Sequence, residues 1–218
     1  MNYIADYIPR NTPCNRRPGN AMTPTTITIH NTGNPTSTAK NERAWLTNPS
    51  NSRTASYHIV VDEREAIECL PLNEVAWHAG DGNGDGNRKS IGIEICESGD
   101  YAKTLDNAAD LVAKMLQERG WGVDRLRRHY DWSGKICPRL MYDNGKWTGW
   151  TKFKAEVEKR MKTADKSDVA KLIVNGKRVD DGIIIDGVTY FPARSFAAAM
   201  GATIAWDNVS KTVKVTSK

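Results

Sequence analysis

Histidine and cysteine are scarce and unevenly placed: four of each occur among 218 residues, and neither follows Cys137. The C-terminal part of the chain therefore carries no imidazole or thiolate for a transition-metal site. The four cysteines, Cys14, Cys69, Cys96 and Cys137, do not make a disulfide framework, because a chain of this size has no need of staples. The segment Met1–Pro9 also lacks the basic and apolar regions of a secretory signal. Free thiols, or one metal thiolate, are the expectation, with Cys69 and Cys96 as buried apolar groups in strands. No apolar run is long enough to cross a bilayer, which argues against membrane insertion. Charge of one sign is not in large excess either, with 31 Lys and Arg against 26 Asp and Glu and a net charge of +5. The bases are scattered among acids, and no helix-turn-helix or zinc-finger spacing occurs, so nucleic acid is not an expected partner. A polyanionic cell-wall polymer would suit the charge, but charge alone does not select it.

What is present divides into one sizeable core and a smaller second module. Thr25 to His30 alternates with period two and reads as a half-buried strand, placing Ile27 and Ile29 on one face and Thr28 and His30 on the other. A helix capped at Ser37 or Thr38 and ending near Leu46 follows. Tyr57–Val61 and Ala66–Leu70 form a hairpin pair about a charged turn, and Ser90–Cys96 is a strand whose Ile91, Ile93 and Ile95 oppose Gly92, Glu94 and Cys96. Apolar spacing gives a helix over Thr104–Arg119, with Thr104 as cap and Gly120 as stop, and another over about Thr151–Met161. The fold class is α/β, a mixed central β-sheet flanked by helices, with a small C-terminal α+β domain. The expected division is 1–161 for the first domain, 162–168 for an aperiodic linker and 169–218 for the second. In the second, Asn175-Gly176 and Asp186-Gly187 are hairpin signals, Pro192–Met200 a helix closed by Gly201, and Thr203–Trp206 with Thr212–Val215 a final hairpin about Asp207-Asn208.

A catalytic zinc site takes three protein ligands and leaves one position open. His30, at a strand end, and the pair His129 and Cys137, seven residues apart, would supply two neutral nitrogens and a thiolate. The same three also read as packed histidines and a buried cysteine, and spacing by itself leans to that reading.

Several motifs, in this order, bear on the choice: His30-Asn31-Thr32, Tyr57-His58, Trp77-His78-Ala79-Gly80, Asn87 with Ser90-Ile91-Gly92-Ile93-Glu94, and His129 with Cys137-Pro138. Together they resemble the zinc-dependent N-acetylmuramoyl-L-alanine amidases of the type 2 family, relatives of peptidoglycan recognition proteins, and in particular the catalytic domains of phage and prophage endolysins. The resemblance covers roughly residues 1 to 160 and implies the mixed sheet with a groove and Zn²⁺ at its floor. It implies His30, His129 and Cys137 as metal ligands, Glu94 as general base, Lys135 as the cation opposite the oxyanion, and Tyr57 as a supporting hydroxyl. Asn31, Trp77, His78, Asn87 and Arg88 are then expected to line the groove, with Trp77 equally readable as core. His58 and His78 are not expected as ligands.

The implied reaction is hydrolysis of the amide between N-acetylmuramic acid and L-alanine in peptidoglycan. The expected route is synthesis in the bacterial cytoplasm and action on the wall after release by a holin-like or other non-secretory path. A non-catalytic recognition module on the same scaffold is the alternative, disfavoured because such modules typically lack the thiolate. A glycosidase would need paired acids, and Glu94 alone stands out. Asp81–Gly86 imitates a calcium loop, but Gly92 occupies the position that needs a bidentate Glu, so a polar rim loop is expected. The tail, through Val174-Asn175-Gly176-Lys177, Thr189–Arg194 and Trp206-Asp207-Asn208, resembles the small stalk domain named for the N-terminus of copper amine oxidases. Without His or Cys it is not expected to bind copper; attachment to a secondary wall polymer is the expectation.

Overall fold

The computed structural model describes residues 1–167, 169–185 and 188–217. Its strands are β1 (Asn2–Ala5), β2 (Thr26–Asn31), β3 (Ile59–Val61), β4 (Glu65–Glu68), β5 (Ser90–Ile95), β6 (Leu126–Arg128), β7 (Val169–Val174), β8 (Lys177–Ile185), β9 (Val188–Tyr190), β10 (Thr203–Asp207) and β11 (Thr212–Thr216). The helices are α1 (Ala39–Trp45), α2 (Asp85–Lys89), α3 (Tyr101–Gln117), α4 (Tyr130–Ser133), α5 (Thr148–Ser167) and α6 (Ala193–Ala199). Two compact units form, Met1–Arg160 and Met161–Lys218. None of the described helices is long and apolar enough to cross a membrane.

The first unit is built on one six-stranded sheet in the order β1-β4-β3-β5-β2-β6. β3 and β4 pair antiparallel, and β1–β4, β3–β5, β5–β2 and β2–β6 pair parallel, so the sheet is mixed. Neither β1 nor β6 is evident from the sequence, because both are short edge strands with little alternation. Register sets Ile27 beside Ile91 and Ile29 beside Ile93, and all four are fully buried. Each such side chain contributes roughly 1.5–3 kcal/mol by leaving water. Strand β2, expected to be half-buried, is buried along its whole length. It lies between two parallel neighbours with material over both faces, the usual situation of an inner parallel strand.

The helices follow their periodicity with shifted ends. Thr38 caps α1, its side chain accepting from Asn41 N–H while the Asn41 side chain accepts from Thr38 N–H. Asp100, not Thr104, caps α3. Thr104 sits fully buried one turn in, its hydroxyl returned to the Asp100 carbonyl. Ala108, Leu111, Val112, Met115 and Leu116 form the buried stripe of α3, which lies against β3 and β5. Helix α5 continues to Ser167, through most of the stretch expected to be an aperiodic linker. That stretch has no Gly or Pro, and extending an existing helix avoids the nucleation cost.

In the second unit β7, β8 and β9 make an antiparallel sheet and β10 pairs with β11. Asn175 and Gly176 turn β7 into β8, both with positive φ, 50° and 77°, the condition for a two-residue hairpin that matches strand twist. Leu172, Val174 and Ala197 are its buried apolar residues. The signal at Asp186-Gly187 lies outside the described residues.

A carboxylate ties the N-terminal segment to the sheet. Glu74 accepts hydrogen bonds from Arg17 Nε at 2.7 Å, Arg17 Nη2 at 3.0 Å and Arg10 Nη2 at 3.0 Å, and the backbone beside it bridges to Asn20 and Met22. The Arg17 hydrogen bonds hold its carboxyl below the ordinary 4.5 against the opposing effect of burial. A lowered folded-state value contributes stability above the unfolded-state pKa that is lost as pH falls through the folded one. Glu74→Gln should therefore lower the urea-unfolding free energy by about 1–3 kcal/mol at pH 7, and the deficit should close as the buffer is acidified below pH 4.5. A deficit that stays constant over that range would show that the carboxylate charge is not what matters.

Candidate metal centre and its cavity

The site stands at the carboxyl ends of three neighbouring parallel strands, where open α/β sheets generally place their chemistry. His30 is in the last turn of the pleat of β2, and its register partner on β5 is Glu94. On the other side β6 pairs Arg128 with Ile29, so His129 leaves β6 level with His30. Alternation does the rest: if Ile27, Ile29, Ile91 and Ile93 face the core, His30 and Glu94 must share the opposite face. Cys137 arrives on the loop after α4. It is held there by Asn31, whose N–H points at Cys137 Sγ at 3.4 Å and whose Oδ1 accepts from Leu140 N–H at 3.1 Å, and by the Arg139–Glu97 ion pair.

One ligand-type atom from each of His30, His129 and Cys137 falls within 4.8 Å of the others, and all three residues are buried. His30 Nδ1 is 3.0 Å from His129 Nδ1 and 3.8 Å from Cys137 Sγ. Two nitrogens, or a nitrogen and a sulfur, on a tetrahedral zinc lie about 3.3–3.6 Å apart given its bond lengths, so the set fits that ion.

The hydrogen bonds around the rings strengthen the fit. His78 Nε2 lies 3.0 Å from the Ser90 carbonyl, which can only accept, so Nε2 carries the proton and Nδ1 is bare. His30 Nε2 is 3.0 Å from that bare Nδ1 and must be the donor, which leaves His30 Nδ1 without a proton. His129 turns its Nε2 toward the Ala79–Gly80 peptide, where a Cβ on Gly80 would stand 3.2 Å from it. The unprotonated His30 Nδ1 thus faces His129 Nδ1 across 3.0 Å, a nitrogen pair that a cation can bridge.

Electrostatics agree. Burial drives His30 well below its ordinary value, helped by the neighbouring histidines and Lys135, and drives His129 down to about 4, with Lys135 adding to the effect. Burial and then the Glu94 charge push the Cys137 thiol up to about 12. Glu94 itself is raised to about 8, first by desolvation and then by the charge of Glu42. Its Oε1 stands 4.0 Å from His30 Nδ1, and Oε2 is buried with no hydrogen-bond partner. An orphan carboxylate oxygen beside an orphan lone pair is costly unless a cation or a substrate completes it.

These groups floor a cavity of about 290 Å³. Trp77 and Asn31 line it, as the sequence reading expects, and the indole N–H of Trp77 donates to the Asn15 carbonyl. Lys135 is exposed at its edge. Tyr57 is a wall residue whose hydroxyl donates to the Glu42 carbonyl at 2.8 Å, so its proton is already engaged. His78 lines the cavity as expected, with both its ring nitrogens bonded within the protein. Two groove expectations differ from the structure. Asn87 is buried beneath His78, Oδ1 accepting from His78 N–H and Ala79 N–H at 2.8 Å each and Nδ2 donating to Gly82. Arg88, exposed on α2, is not among the lining residues. The reason is common to both: the chain turns inward at Trp77-His78-Ala79-Gly80, and the loop Asp81–Gly86 folds on itself, Asp81 accepting from Gly86 and Asn87 N–H groups. That carboxylate is occupied by backbone, not displayed for calcium.

Sequence reasoning overlooked Glu42, Asn51 and Arg53 on the cavity wall. Glu42 lies on a helix whose sequence looks solvated, and Asn51 and Arg53 lie in a loop whose carbonyls accept from the fully buried Arg16 guanidinium. None has a periodic or motif signal that could have marked it.

Comparison with known proteins gives the geometry a lineage. Residues 20–140 match the family model described as N-acetylmuramoyl-L-alanine amidase, and residues 166–218 match that described as copper amine oxidase N-terminal domain. Two Bacillus subtilis (strain 168) proteins named N-acetylmuramoyl-L-alanine amidase are similar. XlyB is 48% identical over 147 residues, covering 65% of this chain and 44% of that protein; XlyA is 46% identical over 161 residues, covering 72% and 51%. The chain spans about half the length of these curated relatives. The structure of the catalytic domain of XlyA superposes with a TM-score of 0.65 at 45% identity over 72% of this chain and 99% of that one, and PlyL with 0.65 at 34% over 73% and 99%. With that family model matching more than half of its length, the chain belongs to the N-acetylmuramoyl-L-alanine amidase family.

Proposed function

We propose that this chain is a zinc-dependent peptidoglycan amidase that hydrolyses the bond between N-acetylmuramic acid and L-alanine in the manner of an endolysin. The observation that carries the reading is the convergence of His30, His129 and Cys137 beside the unpartnered Glu94 oxygen at the cavity floor. His30, His129 and Cys137 would hold Zn²⁺, which when bound would supply polarisation of the scissile carbonyl and acidification of water. Glu94, raised to about 8 by burial, would be ionised beside such a positive charge. Glu94 then takes the proton of the attacking water and passes it to the departing alanine nitrogen, a role suited to a carboxylate tuned near working pH. Lys135 offsets charge on the tetrahedral oxyanion. Trp77 and Asn31 form the wall against which sugar and stem peptide lie, and Tyr57 fixes the opposite wall to α1 through its hydrogen bond. In the second unit, eight Lys and Arg stand against five Asp over residues 166–218, an excess that favours an anionic secondary wall polymer as its ligand.

Glu94→Gln should reduce turnover by about 10²–10⁴-fold while the zinc content matches that of the parent. Peptidoglycan digested by the parent should gain alanine amino groups and no reducing sugar. An active Glu94→Gln chain removes the proposed base, and release of neither product leaves the non-catalytic recognition module.

Zinc binding should expel protons from groups that burial keeps protonated. With His30 and His129 neutral and the Cys137 thiol raised to about 12, the thiol proton leaves at any pH from 6 to 8. Glu94, raised to about 8, releases a second below that pH. Calorimetry in buffers of differing ionisation enthalpy should find Glu94→Gln releasing about one proton fewer than the parent at pH 6.5; equal release would mean that Glu94 is already ionised in the metal-free site. For the second unit, the full chain should sediment with purified Gram-positive walls and a chain ending at Ser167 should remain in solution. Equal sedimentation would defeat wall attachment.

A further inference from the structure

We infer that His78 is a positioning residue for the metal centre: held by Asn87 beneath it, it fixes the tautomer of the ligand His30. The inference rests on the metal site proposed above. Its basis is a directed chain of hydrogen bonds whose sense is settled at one end. The Ser90 carbonyl can only accept, so His78 donates from Nε2 and accepts at Nδ1, and His30 must donate from Nε2. Reversing His30 would set its bare Nε2 against the bare Nδ1 of His78 and leave two buried acceptors without a proton between them.

The supporting structure is specific to this task. His78 is buried, its ring edge-on to His30 with centroids 5.1 Å apart. The ring lies directly against strand β5: a Cβ on Gly92 would stand 2.6 Å from His78 Cγ and 2.9 Å from Nδ1. Only glycine leaves room for the ring there. Asn87 accepts from the backbone N–H groups of His78 and Ala79 at 2.8 Å each, so the peptide between the two contact points cannot rotate. His58, the fourth histidine, is wired differently. It accepts from Gly92 N–H at Nδ1 and donates from Nε2 to the Glu74 carbonyl, which ties strands together without reaching a ligand.

Three measurements on the full chain decide the matter. Long-range ¹H–¹⁵N spectra of the metal-free parent read the tautomers directly, and His30 should be in the Nε2–H form. His30 in the Nδ1–H form overturns the inference, whatever the outcome for metal. Competition with a chelator then gives zinc affinity. His78→Leu, which removes the acceptor, should weaken it by about 10–100-fold, and His78→Asn, whose Oδ1 occupies the place of Nδ1, should recover most of the loss. The cobalt(II) form should show its thiolate and ligand-field bands shifted in the Leu variant and restored in the Asn variant. Parent-like affinity in His78→Leu, or equal loss in both variants, overturns the inference. A parent chain that binds no zinc would instead sink the metal site itself, while the tautomer spectra would still judge the relay.

Discussion

Two imidazole nitrogens held 3.0 Å apart, with a thiol close by, are the constraint around which the first unit is organised. Burial denies these groups water. The fold holds them because His78 grips His30 from behind and because three parallel strands in fixed register deliver His30, Glu94 and His129 to one level. Groups desolvated and converged in this way favour any cation that completes them.

That arrangement explains why so much polar material is buried in the unit. His58, His78, Asn87, Ser90 and Thr28 are all buried, and each has a directed partner. Thr28 bonds the Ser90 hydroxyl at 2.6 Å and accepts the Trp132 indole N–H at 2.9 Å, which docks α4 and so helps to place His129, the residue before that helix. A fully satisfied buried network rigidifies; a half-satisfied one would be worse than an apolar core. The unsatisfied atom that stands out beside His30 is Glu94 Oε2.

The amidase sheet was largely legible because Ile27, Ile29, Ile91, Ile93 and Ile95 alternate cleanly and α3 repeats its apolar residues with helical spacing. The strands β1 and β6 were not, because short edge segments carry little pattern, and the helix over 162–167 was not, because small and charged residues without apolar spacing resemble a linker. At the site, His30, Glu94, Lys135, His129 and Cys137 were named from motif resemblance, and the cavity contains all five. Glu42, Asn51 and Arg53 join them only because α1 and the following loop fold over that end of the sheet.

The sequence by itself determined which faces of β2 and β5 carry the apolar and the chemical residues, since alternation along a strand is a local property. It also limited any imidazole or thiolate site to the chain before Pro138, since no His or Cys lies beyond. Only the tertiary structure decided what each polar residue does. Asn87 reads as a groove residue in one dimension, yet it lies beneath His78, and His78 uses both ring nitrogens inside the protein, because strand register and the close approach that Gly92 permits are fixed by pairing between distant segments. A hydrogen bond's direction, and with it the nitrogen a histidine offers, depends on a partner tens of residues away that no local pattern encodes.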